Sequence, residues 1–193
     1  VAATMSNVTV FLFQVTTSSF SRFEKDPAAP VDLSLQAAFS DRGLCQLSLR
    51  PGEFPGPLCF GLENARHPGR VVASFERLKE LLFARLNGER ADLAWNEFDL
   101  RDCPTFHVRV WRVLHATPFG QTRTYGQLAK AAASPRASRA CGQACGANPI
   151  LLFIPCHRAV SASGLGGFSS GLRWKKRLLS LEGVDWRSVA RPR

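Results

Sequence analysis

"TYGQLAKAAASPRASRACGQACG", Thr124 to Gly146, is the stretch that decides how this chain folds. Thr124-x-x-Gln127 is a capping box, in which each side chain satisfies an orphan backbone N–H at a helix start. After "LAKAAA", Ser134 suits an N-cap, Pro135 a first helical position and Gly146 a stop. Two short helices with a tight connection predict a helix-turn-helix, its second helix placed to enter a groove. That second helix carries Arg136 and Arg139 but otherwise Ala, Ser, Gly and Cys. Long polar side chains are the usual major-groove readers. A helix of small residues suits close approach to a narrow surface, such as a minor groove, or tight packing on the preceding helix. Its composition leaves both readings open.

Upstream, Thr105 caps a further helix with Phe106, Val110, Val113 and Leu114 facing inward. Downstream, "NPILLFI" reads as a buried strand entered through an Asn-Pro turn. "SASGLGGFSSG" is a glycine-serine loop with the look of a β-wing. "LRWKKRLLSLEG" is a last helix, with Leu172, Leu178 and Leu179 inward. Glu182 lies three residues past Leu179 and four past Leu178, so it shares their face. A carboxylate turned inward is costly unless paired, and a histidine would serve.

The first half reads differently. "VTVFLFQV", Val8–Val15, is too short for a membrane span and lacks a basic flank, so it predicts a strand and not a signal peptide. "LSLQAAFSDRGLCQLSL" predicts a β-hairpin, with Leu33, Leu35, Ala37 and Phe39 on one face and Asp41-Arg42-Gly43 in the reversal. "FPGPLCFGLENARHPGR" reads as loop. "SFERLKELLFARLNG" predicts a helix capped by Ser74 and stopped at Asn87-Gly88, with Phe75, Leu78, Leu82 and Leu86 on one stripe. "NEFDLRDCPT" places a boundary near Asp102. The expectation is an α+β protein of two domains, residues 1–102 and 103–193.

The net charge of +10 is unevenly divided. Residues 1–103 hold 11 Lys/Arg and 13 Asp/Glu, whereas residues 104–193 hold 14 and 2, a net +12. Such asymmetry points to a polyanion on the second half, and nucleic acid is the usual one. The six cysteines, Cys45, Cys59, Cys103, Cys141, Cys145 and Cys156, form no CxxC pair, so neither a disulfide framework nor a zinc ribbon is indicated. Whether Cys45 and Cys59 pair is left open. The set Cys45, Cys59, Cys103 and His67 has no recognisable ligand spacing, and neither metal nor cofactor is expected. No run approaches the ~18 apolar residues a membrane span needs, so a soluble intracellular protein is expected.

"IPCHR", Ile154 to Arg158, sets a cysteine beside a histidine at the end of the apolar run. Alone, Cys156 would read as a small buried hydrophobe. Helix-turn-helix, basic surface, Cys-His pair and inward glutamate together resemble the O6-alkylguanine-DNA alkyltransferases, or methylated-DNA–protein-cysteine methyltransferases. The resemblance is carried by "TYGQLA", "SPRASRA", "NPILLFIPCHRAV", "GFSSGL" and "KKRLLSLEG", in order from Phe106 to about Asp185. Residues 1–102 hold no motif of that family. There the resemblance implies a ribonuclease-H-like α+β domain, followed by a winged helix-turn-helix domain.

It further implies a monomer that repairs duplex DNA directly, working in the cytoplasm, or in the nucleus of a eukaryote. An alkyl group passes from guanine O6, and less well from thymine O4, to Cys156, irreversibly and once. His157 takes the thiol proton through a water, Glu182 orients His157, and Asn148 joins that network. The base is flipped out from the minor groove. Arg139 fills its place, Tyr125 meets the extruded nucleotide, and Ser169 offers a backbone N–H to O6. Ala137, Ser138 and Gly142 permit close approach to the groove. Two residues depart from the family pattern. Phe168 stands where many relatives have tyrosine, keeping stacking and losing a hydroxyl. Cys145 stands where relatives often have a larger apolar residue, widening the pocket and adding a second thiol. Competing expectations are a DNA-binding module without catalysis, which lacks the acceptor cysteine, and a thiol hydrolase, which leaves the basic half unexplained.

Overall fold

In the computed structural model, residues 8–15, 33–51, 58–60 and 65–189 are described. They fall into two units, residues 1–87 with 91–99, and residues 88–90 with 100–193.

The first unit is an antiparallel sheet with one long helix. Strands β1 (Val8–Val15), β2 (Leu33–Ser40), β3 (Gly43–Pro51) and β4 (Leu58–Phe60) lie in the order β3-β2-β1-β4. Alternation explains β1, since Thr9, Phe11 and Phe13 are buried while Val10 and Leu12 are half-exposed. Leu35, Ala37 and Phe39 of β2 are buried on the expected face, and Asp41-Arg42 makes the hairpin turn. The side chain of Leu33 and any partner of Cys59 lie outside what is described. Gly43 is required by close approach, because a Cβ there would stand 2.2 Å from the carbonyl oxygen of Glu97.

Two expectations for this unit are corrected. Leu58–Phe60, read as loop, pairs with β1, because the far edge of β1 offers backbone partners that local Pro and Gly content does not reveal. The helix α1 runs from Pro68 to Leu86, so Ser74 lies inside it and is no cap. Pro68 fits the first turn, where no N–H is needed, and Val71 extends the buried stripe one turn before Phe75. Phe75 stacks on Phe11 with ring centroids 4.0 Å apart.

The second unit gathers short helices around two small crossings of chain. Helix α2 (Thr105–His115) has Thr105 as its first helical residue, with Pro104 at the cap position, so the expected threonine cap is absent. Its buried stripe is Val110, Trp111 and Leu114, whereas Phe106 and Val113 are only partly covered. The indole of Trp111 takes the inner seat and donates its N–H to the Ala144 carbonyl at 2.7 Å. Strand β5 (Arg123–Thr124) leads straight into α3 (Tyr125–Ala131), and the capping box forms as read. Gln127 N–H reaches Thr124 Oγ1 at 3.2 Å and Thr124 N–H reaches Gln127 Oε1 at 2.7 Å.

Helix α4 (Ser138–Gly146) starts later than its sequence suggests. Ala133 adopts a left-handed backbone at φ 56°, and Ser134 N–H closes on the Ala129 carbonyl at 2.9 Å. Ser134 thus ends α3, and Ser134–Ala137 form a turn instead of a first helical turn. "NPILLFI" is buried as expected but is no strand. Ile150–Ile154 coil through successive turns, with Leu152 at φ 71°; Phe153 N–H reaches the Leu151 carbonyl, Ile154 N–H the Ile150 carbonyl, and Asn148 bonds Ile150 N–H and the Ile154 carbonyl. An apolar run announces burial, not the conformation in which burial occurs.

A 3-10 turn, Cys156–Arg158, then opens into β6 (Ala159–Val160), which pairs in parallel with β5. The loop 161–171 contains one isolated bridge, between Ser161 and Gly164. In α5 (Leu172–Leu181) Leu178 and Leu179 are buried, but Leu172 is 46% exposed and Lys175 is buried in its stead. A short helix α6 (Trp186–Val189) closes the described chain.

Candidate active site

The β5–β6 pairing fixes the site. Its register sets Thr124 beside Val160, so the start of α3, where Tyr125 sits, meets the turn that presents Cys156. A cavity of about 140 Å³ opens there, lined by Tyr125, Gly142, Cys145, Gly146, Cys156, Gly167, Phe168 and Ser169. Six of these eight are candidates the sequence supplied. Gly166 supports the arrangement, because its φ of +68° and a hypothetical Cβ only 2.8 Å from Tyr125 Oη both require glycine. The loop can therefore lie directly on the tyrosine ring.

Cys156 is 3% exposed. Asn148 Nδ2 donates to its sulfur at 3.1 Å and to the Ile154 carbonyl at 2.7 Å, while Asn148 Oδ1 accepts from Ile150 N–H at 3.0 Å. One amide thus shapes the preceding coil and serves the sulfur. Burial pushes the Cys156 thiol up, while the Asn148 bond and the Lys175 charge pull it down. Cys145, on α4, is driven to about 12 by burial and by the neighbouring Cys156.

His157 Nε2 stands 2.8 Å from Glu182 Oε1. Glu182 occupies the C-cap of α5, and its side chain is 5% exposed. Glu182 therefore has the histidine partner that its inward position requires, and a second partner besides. Arg158 grips the same carboxylate, Nε to Oε2 at 2.7 Å and Nη2 to Oε1 at 2.8 Å. Burial alone would raise the Glu182 pKa, yet the hydrogen bonds and charges of His157 and Arg158 outweigh it and hold the group at about 2. An ionised carboxylate has no proton to give, so His157 Nε2 carries the hydrogen and Nδ1 is the basic nitrogen of the neutral ring.

Lys175 is the second residue that sequence reading passed over. It is fully buried, with Nζ 2.5 Å from the Ala159 carbonyl and 3.0 Å from that of Gly167. Burial lowers its pKa to about 8, against the pull of Cys156 and Cys145. The signal was present, since Lys175 lies three and four residues before Leu178 and Leu179 and so shares their face. Ala137, Ser138 and Arg139 lie apart from the cavity, at the first turn of α4, where Arg139 is exposed. No group of three or more His, Cys, Asp or Glu among the described residues is arranged to hold a metal ion.

The family described as "6-O-methylguanine DNA methyltransferase, DNA binding domain" matches residues 105–184. A methylated-DNA–protein-cysteine methyltransferase of Mycobacterium bovis is 47% identical over 127 residues, 63% of this chain and 76% of that protein. One from Methanosarcina acetivorans is 48% identical over 90 residues, 45% of this chain, a match spanning only 58% of the relative's length. A crystal structure of Mycobacterium tuberculosis OGT in complex with DNA superposes with a TM-score of 0.63 at 30% identity, covering 93% of this chain and 94% of that one.

Proposed function

We propose that this chain, which belongs to the methylated-DNA–protein-cysteine methyltransferase family, repairs DNA by moving an alkyl group from a damaged base onto Cys156. The observation that carries the reading is Cys156 itself, set in the wall of an open cavity with an amide donor on its sulfur. The substrate is duplex DNA bearing O6-alkylguanine, with O4-alkylthymine a poorer one.

The chemistry follows from what each group can do. At rest the thiol is protonated, because burial disfavours its anion. With the base in the cavity, His157 Nδ1 accepts the thiol proton through a water, and Glu182 stabilises the resulting imidazolium. Asn148 and Lys175 favour the developing thiolate. The sulfur attacks the alkyl carbon, the C–S bond forms as the C–O6 bond breaks, and the electron pair leaves on the guanine. Ser169 supplies a backbone N–H to O6, and the proton that His157 took from the thiol returns through water to the guanine anion, so the base leaves neutral and the imidazole is restored. Nothing in the cavity reverses the thioether, so each molecule acts once.

The target atom lies inside a duplex, so the base must leave the stack, at a cost of about a few kcal/mol. Arg139, exposed at the start of α4, fills the vacancy from the minor groove, while Ala137, Ser138 and Gly142 allow the approach. Tyr125 and Phe168 bound the flipped base. We read α3, α4 and the loop 161–171 as a winged helix-turn-helix and residues 103–193 as the DNA-binding domain. Residues 1–102 we read as a ribonuclease-H-like domain. We read the protein as a monomer of the cytoplasm, or of the nucleus in a eukaryote.

A duplex carrying labelled O6-methylguanine tests this. One label per protein is expected, recovered on Cys156 and absent from Cys156→Ala. Label on another residue, or DNA binding with no transfer, would overturn it.

A further inference from the structure

We infer that Arg158 is a positioning residue: with the Thr117–Gly120 turn it clamps the Glu182 carboxylate so that His157 keeps its proton on Nε2 and its lone pair on Nδ1. The inference rests on the reading of Cys156 as acceptor and His157 as its base.

Glu182 has both oxygens doubly occupied. Oε1 accepts from His157 Nε2 at 2.8 Å and Arg158 Nη2 at 2.8 Å, and Oε2 accepts from Arg158 Nε at 2.7 Å and Gly120 N–H at 3.1 Å. The guanidinium is anchored in turn. Its Nη1 donates to the Thr117 carbonyl at 2.6 Å, and its carbon sits 5.7 Å from the centre of the Phe119 ring. Thr117 is itself held, its hydroxyl donating to the Val113 carbonyl at 2.9 Å and accepting from Arg123 Nε at 3.1 Å. Gly120 has a φ of +77°, and a Cβ there would lie 3.0 Å from the Glu182 carbonyl oxygen. The turn thus reaches the carboxylate only because residue 120 is glycine.

A point charge could neutralise Glu182. A planar fork does more, because two parallel N–H bonds fix the plane of the carboxylate. That plane sets where Oε1 meets His157, and so which ring nitrogen is protonated. The charged groups facing Glu182 are His157 and Arg158 on the 3-10 turn; the 117–120 turn offers only its backbone N–H, and Lys175 of α5 faces carbonyls and thiols instead. With Arg158 gone, the carboxyl titrates at higher pH and its plane is no longer set.

Arg158→Met and Arg158→Lys test this in the full chain. Single-turnover transfer from the O6-methylguanine duplex is followed over about pH 5 to 8, where an unperturbed histidine titrates. Folding and DNA affinity are measured alongside. Arg158→Met is expected to slow transfer by about 10²-fold, the lower range of general-base effects, with its acid limb moved to higher pH. Arg158→Lys recovers part of the rate. Nitrogen-15 shifts of His157 should report Nε2–H in the wild type and a mixed tautomer in Arg158→Met. A folded Arg158→Met with the wild-type rate, pH profile and tautomer would overturn the inference. Should Arg158→Met not fold, an unchanged rate and profile in Arg158→Lys would do so. If the wild type transfers nothing, the functional reading fails, while the tautomer measurement still decides the role of Arg158.

Discussion

Glu182 carries one pH-dependent contribution to the stability of this protein. Its folded pKa, about 2, lies below the ordinary 4.5, so its contribution to stability is complete above the unfolded value. That contribution, on the order of 3 kcal/mol, is lost as pH falls from 4.5 towards 2, because the unfolded chain then binds a proton the native state refuses. Urea titrations across that range should show a steeper decline in wild type than in Glu182→Gln, the difference being the Glu182 contribution. The variant should also be less stable at neutral pH by about 3–5 kcal/mol, since Arg158 is left buried without its counter-charge. At this scale much was legible. The inward position of Glu182 followed from helical spacing alone, and the need for a partner followed from charge burial. Arg158 and Lys175 were not recognised, because a basic residue among apolar ones gives no sign of which way it points until the surrounding backbone closes over it.

Some local cues fixed an element end as read, and others, Thr105 and Ser134 among them, were overruled by neighbouring segments. The Thr124–Gln127 capping box needs only residues within one turn, and it formed as expected. Ser134-Pro135 offered an equally good local start for α4, but the chain spends Ser134 on closing α3. Ala133 carries that closure in a left-handed conformation that glycine accepts at no steric cost. Ala133→Gly should therefore raise stability by up to about 1 kcal/mol, visible as a higher Tm, with transfer unaffected. Gly166→Ala should do the opposite to the site. A methyl group 2.8–3.2 Å from the Tyr125 ring and hydroxyl must push the loop or the ring away, and transfer should slow by about tenfold while the acceptor still reacts.

At the scale of the molecule, charge is the property that composition alone foretells. With 14 basic and 2 acidic residues after position 103, DNA affinity should fall at least about tenfold between 50 and 200 mM salt, as phosphate contacts release counterions. A flat response in a filter-binding or anisotropy titration would remove the basic half as the DNA surface. By itself the sequence determined that a thiol, an imidazole and an amide stand at fixed short spacing, that an acid faces inward, and that one half of the chain is strongly basic. Tertiary structure decided the rest. It made "NPILLFI" a coil instead of a strand, buried Lys175 where Leu172 was expected, brought Arg158 and the Gly120 N–H onto Glu182 across 24 and 62 residues, and tied Arg158 to Thr117 across 41. Hydrogen bonds within a turn are set by neighbouring residues, whereas desolvation and ion pairing depend on which distant segments close over a group.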